Sequence, residues 1–210
     1  MRVTEIFFSI QGEGTRAGRP CVFVRFTGCD LRCRYCDTAY AFTGGREMGR
    51  GEVLAELERH PCRFALLTGG EPMLQPDVGE LASDLLARGW EVAIETHGQL
   101  PLDGLPAAVV RIADVKTPGS GEEAADLSWL GRLRRHDEVK FVVTSEEDFR
   151  WSLGVVRGHG LEGRVTVLFS PVAGQVEPRE LARWMLESGV DARLNLQLHK
   201  IVWGPRARGV

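Results

Sequence analysis

A strand-like run followed by a helix-like run, repeated along most of the chain, limits the possible folds more than any other feature. Apolar stretches stand at "CVFVRF" (21–26), "FALLT" (64–68), "WEVAIET" (90–96), "VVRIADV" (109–115), "EVKFVV" (138–143), "RVTVLF" (164–169) and "ARLNLQ" (192–197). Helical patterns lie between them at 52–59, 77–88, 127–134, 146–157 and 179–187. Strands alternating with helices predict βα units and a parallel sheet. Polar residues gather at or just after the C-terminal strand ends: Thr68 and Glu71, Glu95 and Thr96, Asp114 and Lys116, Ser145, Ser170, and Gln197 with His199. In a parallel barrel those ends converge on one mouth, whereas in an open sheet they spread along an edge. A complete eightfold barrel takes about 250 residues, and this chain has 210. The expected fold is therefore α/β, an incomplete TIM-like β/α barrel with a shortened helical complement, with a doubly wound open sheet as the alternative. Residues 1–210 read as one domain.

Hydrophobic residues make up 43% and charged residues 26%, the balance of an ordinary globular chain with a sizeable core. A net charge of -3 supplies no broad basic field, so neither nucleic acid nor an anionic membrane is expected as a partner. The five tryptophans are scattered rather than arrayed for base stacking. "MRVTEIFFSIQGEG" has no signal-peptide core, and no stretch approaches the roughly 18 apolar residues of a membrane span. The cytoplasm is the expected location.

Three of the five cysteines stand in "TGCDLRCRYCDT" (27–38), at Cys29, Cys33 and Cys36. An odd count with a tight cluster argues against a disulfide framework and points to metal or redox chemistry. A closed zinc site needs a fourth ligand, and the candidates Cys21, Cys62 and His60 lack a second CxxC-like spacing. A thioredoxin-like pair lacks the βα unit that should precede it. An iron-sulfur cluster held by three thiolates leaves one iron free to bind another molecule. "TGGEP" (68–72) follows a strand and precedes a helix. Its glycines suit either a plain turn or backbone amides brought close to a ligand.

CxxxCxxC with Tyr35 before the last cysteine, then "GGEP" after the next strand, resembles the radical S-adenosylmethionine superfamily. The resemblance implies a barrel of the radical SAM type and a [4Fe-4S] cluster on Cys29, Cys33 and Cys36. It also implies S-adenosylmethionine on the fourth iron, near Gly69, Gly70 and Glu71, and an electron donor such as flavodoxin or ferredoxin. Reductive cleavage of that cofactor supplies a 5′-deoxyadenosyl radical that abstracts hydrogen from substrate.

The preceding "FFSIQGEGTRAGRPCVFVRFTGC", with "CDT", "ETHG", "DVKTPGSG", "SPV" and "QLHK", is similar to the 7-carboxy-7-deazaguanine synthase family over nearly the whole chain. That resemblance implies a carbon-nitrogen lyase of queuosine and 7-deazapurine biosynthesis, acting on 6-carboxy-5,6,7,8-tetrahydropterin with loss of ammonia, and a homodimer. "QGEG" alone reads as a surface turn; the family places it over the mouth, with Ile10, Gln11, Gly12 and Glu13 at the pterin. Arg25 shares a strand face with Cys21 and Phe23. On an edge strand that face is solvated, and in a barrel interior it demands an anion such as the substrate carboxylate. "DT" could cap a turn; by resemblance Thr38 holds Mg²⁺ while Asp37 and Tyr35 meet the cofactor. Lys116, Thr117, Pro118 and Ser170 are likewise implied around the cofactor, and Thr68, His199 and Pro205 around substrate. A glycyl-radical-enzyme activase and a zinc-stabilised binding module without catalysis are the alternatives; the "QGEG" loop and Arg25 favour a small pterin over a protein partner.

Overall fold

The computed structural model describes residues 1–204 and 207–209. Pro205, implied at the substrate, lies outside them. The first two strands, β1 (Arg2–Ile10) and β2 (Pro20–Phe26), form an antiparallel hairpin, and the short β3 (Arg46–Glu47) flanks β1. Helix α1 (Arg50–Glu58), β4 (Phe64–Gly69), α2 (Val78–Ala87), β5 (Glu91–Thr96) and β6 (Val110–Val115) follow. The chain then runs through β7 (Glu138–Val143), α3 (Glu146–Gly158), β8 (Thr166–Pro171), α4 (Pro178–Ser188), β9 (Arg193–Leu194) and α5 (Leu198–Val202).

One sheet runs β3-β1-β2-β4-β5-β6-β7-β8-β9, parallel from β2 onward. The parallel strands follow chain order without reversal, so the fold curls as a partial barrel rather than winding both ways from a switch point. Two large apolar clusters cover its outer face: one joins α1 and α2 to β2, β4 and β5, the other joins α3 and α4 to β6, β7 and β8. Strands covered on both faces are apolar almost throughout, and β4 and β7 are buried along their full length. Among the described residues, no helix is long and apolar enough to cross a membrane.

Three local expectations change. The helical pattern at 127–134 is a 3₁₀ helix over Ser128–Arg132; Leu130 and Leu133 are both buried, a spacing of three that suits 3₁₀ geometry. The expected strand at 192–197 shrinks to β9, because Asn195 turns its side chain to Ser170 and Gln197 opens α5. The opening segment, for which no element is predicted, is the nine-residue β1.

The "QGEG" segment also departs from expectation. Gln11 and Gly12 are buried rather than part of a surface turn, and the tip of the β1–β2 hairpin lies against the sheet's concave face instead of folding over the mouth. Thr15 and Arg16 bond Glu138 at the start of β7, and Arg16 reaches Glu91 at the start of β5. On the far side, the Leu198 amide donates to the Gly12 carbonyl at 3.0 Å and the Gly14 amide to Asn195 Oδ1 at 2.7 Å. The tip therefore bridges the gap between the first and last strands. Gly12 lets His199 pack against the tip: a Cβ there would lie 2.3 Å from His199 Nδ1, and the ring would have to turn away.

Candidate active site

The barrel interior has two levels. Cys21 and Phe23, Phe64 and Leu66, Ala93, Val110 and Ile112 form a buried apolar floor, on which Phe7 stacks against Phe23 with ring centres 4.7 Å apart. Two residues further along the same strand faces stand Arg25, Thr68, Glu95 and Asp114, as the strand period of two requires. With Lys140 of β7 they border a cavity of about 470 Å³.

Cys29, Cys33 and Cys36, in the loop after β2, all border this cavity. The loop is tied down by Arg34 N–H to the Ser120 carbonyl at 2.9 Å, Arg32 N–H to Glu122 at 2.8 Å and the Tyr35 hydroxyl to the Val142 carbonyl at 3.3 Å. The zinc alternative fails on geometry. Cys21 stands at the opposite end of β2 from Cys29, Cys62 bonds the Pro20 carbonyl beside it, and His60 stacks on Phe8. Among the described residues no three His, Cys, Asp or Glu side chains converge on a single ion. Three thiols around one cavity with no fourth cysteine fit an iron-sulfur cluster with one open iron. Burial pushes the Cys29 and Cys33 thiols up, Cys33 to about 11, so ligation must displace protons.

The glycine-rich turn after β4 is pressed onto the cysteine loop. Gly70 N–H donates to the Phe26 carbonyl at 3.1 Å and Glu71 N–H to the Gly28 carbonyl at 2.7 Å. Gly69 and Gly70 border the cavity, but Glu71 is fully buried and turned away from it. Its carboxylate accepts from Met73 N–H at 2.9 Å, Thr96 Oγ1 at 2.7 Å and His97 N–H at 2.9 Å. The His97 ring accepts the Gln99 amide at Nδ1, which leaves its proton on Nε2, facing Asp30 at 2.9 Å and Glu71 at 3.2 Å. "TGGEP", "ETHG" and the cysteine loop are thus one hydrogen-bonded unit. Every partner of Glu71 donates, so Glu71→Gln should cost about 1–3 kcal/mol, to be read as a lower unfolding midpoint in urea.

On the opposite wall, Lys140 is caged by three carboxylates. Its Nζ lies 3.0 Å from Glu13 and 3.3 Å from Asp114, and it also bonds Glu95. Lys116 pairs with Asp114 at 3.0 Å. Burial works to raise the Glu13 and Asp114 carboxyls, yet Lys140 beside Glu13, and Lys116 with Lys140 beside Asp114, outweigh it and hold both low. Burial wins at Glu95, helped by Glu13 and Asp114, and its carboxyl is raised.

Residues 23–119 match the Radical SAM superfamily. The 7-carboxy-7-deazaguanine synthase of Koribacter versatilis is 42% identical, with all of both chains covered, and that of Chlorobaculum tepidum is 43% identical over all of this chain and 97% of its own. The chain belongs to the 7-carboxy-7-deazaguanine synthase family. The crystal structure of QueE from Escherichia coli shares the fold, with a TM-score of 0.77 at 22% identity over 93% of each chain.

Most residues that resemblance to the synthase family implies border the one cavity: Ile10, Gln11, Gly12, Glu13, Arg25, Thr68 and His199 on the substrate side, and Tyr35, Asp37, Thr38 and Lys116 with the cysteines. Thr117 and Ser170 are fully buried behind it. Thr117 Oγ1 bonds Asp148 at 3.0 Å, Ser170 Oγ accepts from Asn195 Nδ2 at 2.7 Å, and Pro118 opens a 3₁₀ turn whose Gly119 amide also bonds Asp148. Arg25 faces the interior, as a barrel requires, but its Nε already donates to Glu5 at 2.8 Å. Its Nη atoms make no hydrogen bond among the described residues. Lys140, the centre of the cage, was given no role from sequence, although a lysine between Glu138 and Val142 in an apolar strand was a visible signal. Glu95 and Asp114 stood out only as strand-end polar residues.

Proposed function

We propose that this synthase-family chain is a carbon-nitrogen lyase that converts 6-carboxy-5,6,7,8-tetrahydropterin to 7-carboxy-7-deazaguanine with loss of ammonia. The observation that carries the reading is the gathering of the cysteine triad, Arg25 and the "QGEG" tip around one cavity of about 470 Å³. A [4Fe-4S] cluster with S-adenosylmethionine supplies a carbon-centred radical when bound. The chain's residues do the rest. Arg25 offers its Nη atoms to the substrate carboxylate, with Thr68 beside it in strand register. The hydroxyl of Thr38 offers a hard oxygen to Mg²⁺, and His199 closes the wall beside Gly12. A flavodoxin- or ferredoxin-like donor, a homodimer and a cytoplasmic setting belong to the same reading, as does one radical SAM domain over residues 1–210.

The test is anaerobic incubation of reduced, reconstituted protein with S-adenosylmethionine, Mg²⁺ and the carboxytetrahydropterin, with the deazaguanine acid as the expected product. Cofactor cleavage without that product would sink the substrate assignment. Arg25→Ala should weaken pterin binding roughly 10- to 100-fold, the cost of charge-assisted hydrogen bonds, while iron content stays at the wild-type level. Loss of both would make Arg25 structural.

A further inference from the structure

Helix α5 has no buried residue, and its Ile201 and Val202 point to solvent. A helix of five residues has little stability of its own, so polar ties must hold it. Two polar partners converge on Lys200, a motif residue that borders the cavity and has no part in the proposed function. Lys200 Nζ lies 2.7 Å from Asp37 Oδ2 and donates to Gln197 Oε1 at 2.6 Å. Gln197 Nε2 in turn donates to Glu13 Oε1 at 2.8 Å. Asp37 stands between the cluster ligand Cys36 and Thr38, whereas Glu13 belongs to the hairpin tip at the substrate side. One lysine therefore links two loops distant in sequence.

We propose that Lys200 is a positioning residue that couples the cysteine loop to the hairpin tip, so that ordering either loop favours ordering the other. Coupling of this kind is reciprocal. The inference rests on the synthase reading only for which ligand each loop meets, and its test uses neither substrate nor turnover.

The experiment is hydrogen exchange of the full, cluster-reconstituted chain under anaerobic conditions. Lys200→Met should speed exchange about threefold or more in both 11–14 and 35–39, the scale of a partly exposed ion pair plus one charge-assisted hydrogen bond, and Lys200→Arg should restore both. Asp37→Asn, whose side chain does not touch the hairpin, should speed exchange at 11–14 in the wild-type background and add nothing in Lys200→Met. Faster exchange confined to 197–203, or additive effects of the two substitutions, would overturn the coupling. Absence of product from wild-type enzyme would overturn the substrate reading and leave this result standing.

Discussion

A Lys140→Met chain should be about 3–5 kcal/mol less stable than wild type at pH 7, the typical cost of removing one partner from a buried ionic group. The side chain it replaces is 5% exposed, and Glu13, Glu95 and Asp114 would be left facing one another. The deficit should also depend on pH. In the wild type, the lowered carboxyls of Glu13 and Asp114 add stability above their ordinary range of about 4 and lose it as pH falls below that range. Glu95, being raised, works the opposite way and favours the folded state at low pH. Without Lys140 the Glu13 and Glu95 carboxyls rise, Asp114 keeping Lys116, so the variant gains stability between pH 7 and about pH 4.5, where the lowered Glu13 and Asp114 of the wild type stay ionised. Urea unfolding at pH 7 and at about pH 4.5 should show the gap narrowing; a constant gap would mean that Lys140 contributes packing rather than charge. Adding Glu95→Gln to Lys140→Met should recover part of the loss at pH 7.

Gly70→Ala should be nearly as damaging, and its effect should fall on the cluster. The new Cβ would lie 2.0 Å from the Gly28 carbonyl oxygen, 2.5 Å from its carbon and 3.0 Å from Cys29 Cβ. Two of those atoms are backbone and the third belongs to Cys29, the first of the three cavity cysteines, so the cysteine loop itself must move. Overpacking costs about 1–3 kcal/mol, concentrated here on the loop that carries Cys29. Reconstituted protein should therefore hold much less iron and show weak visible absorption. Gly51→Ala, in the second position of α1 with nothing within 4 Å of its Cβ, is the control and should keep its iron. Equal iron in the two variants would show that the turn after β4 does not set the cysteine loop.

The parallel strands were legible because burial on both faces writes a nearly unbroken apolar run, and the cysteine triad because ligand spacing is local. β1 was missed because "RVTEIFFSI" mixes half-buried and exposed positions at the sheet's antiparallel edge. The site was legible where motif and contact coincide, as for Gly69 and Gly70. It was not legible where a role depends on a partner far along the chain. Glu71 sits inside the glycine-rich motif, yet its carboxylate serves Thr96 and His97 rather than the cavity. Lys140 meets Glu13 across 127 positions, and no local pattern encodes that meeting.

A closed barrel has its girth fixed by strand number and stagger. Here the first and last strands do not pair, and the hairpin tip spans the gap through side-chain and single backbone hydrogen bonds. The closure of the cavity on that side therefore rests on a handful of polar links, apart from the sheet's own ladder. The barrel is closed as a clasped bracelet is, by a catch distinct from its links.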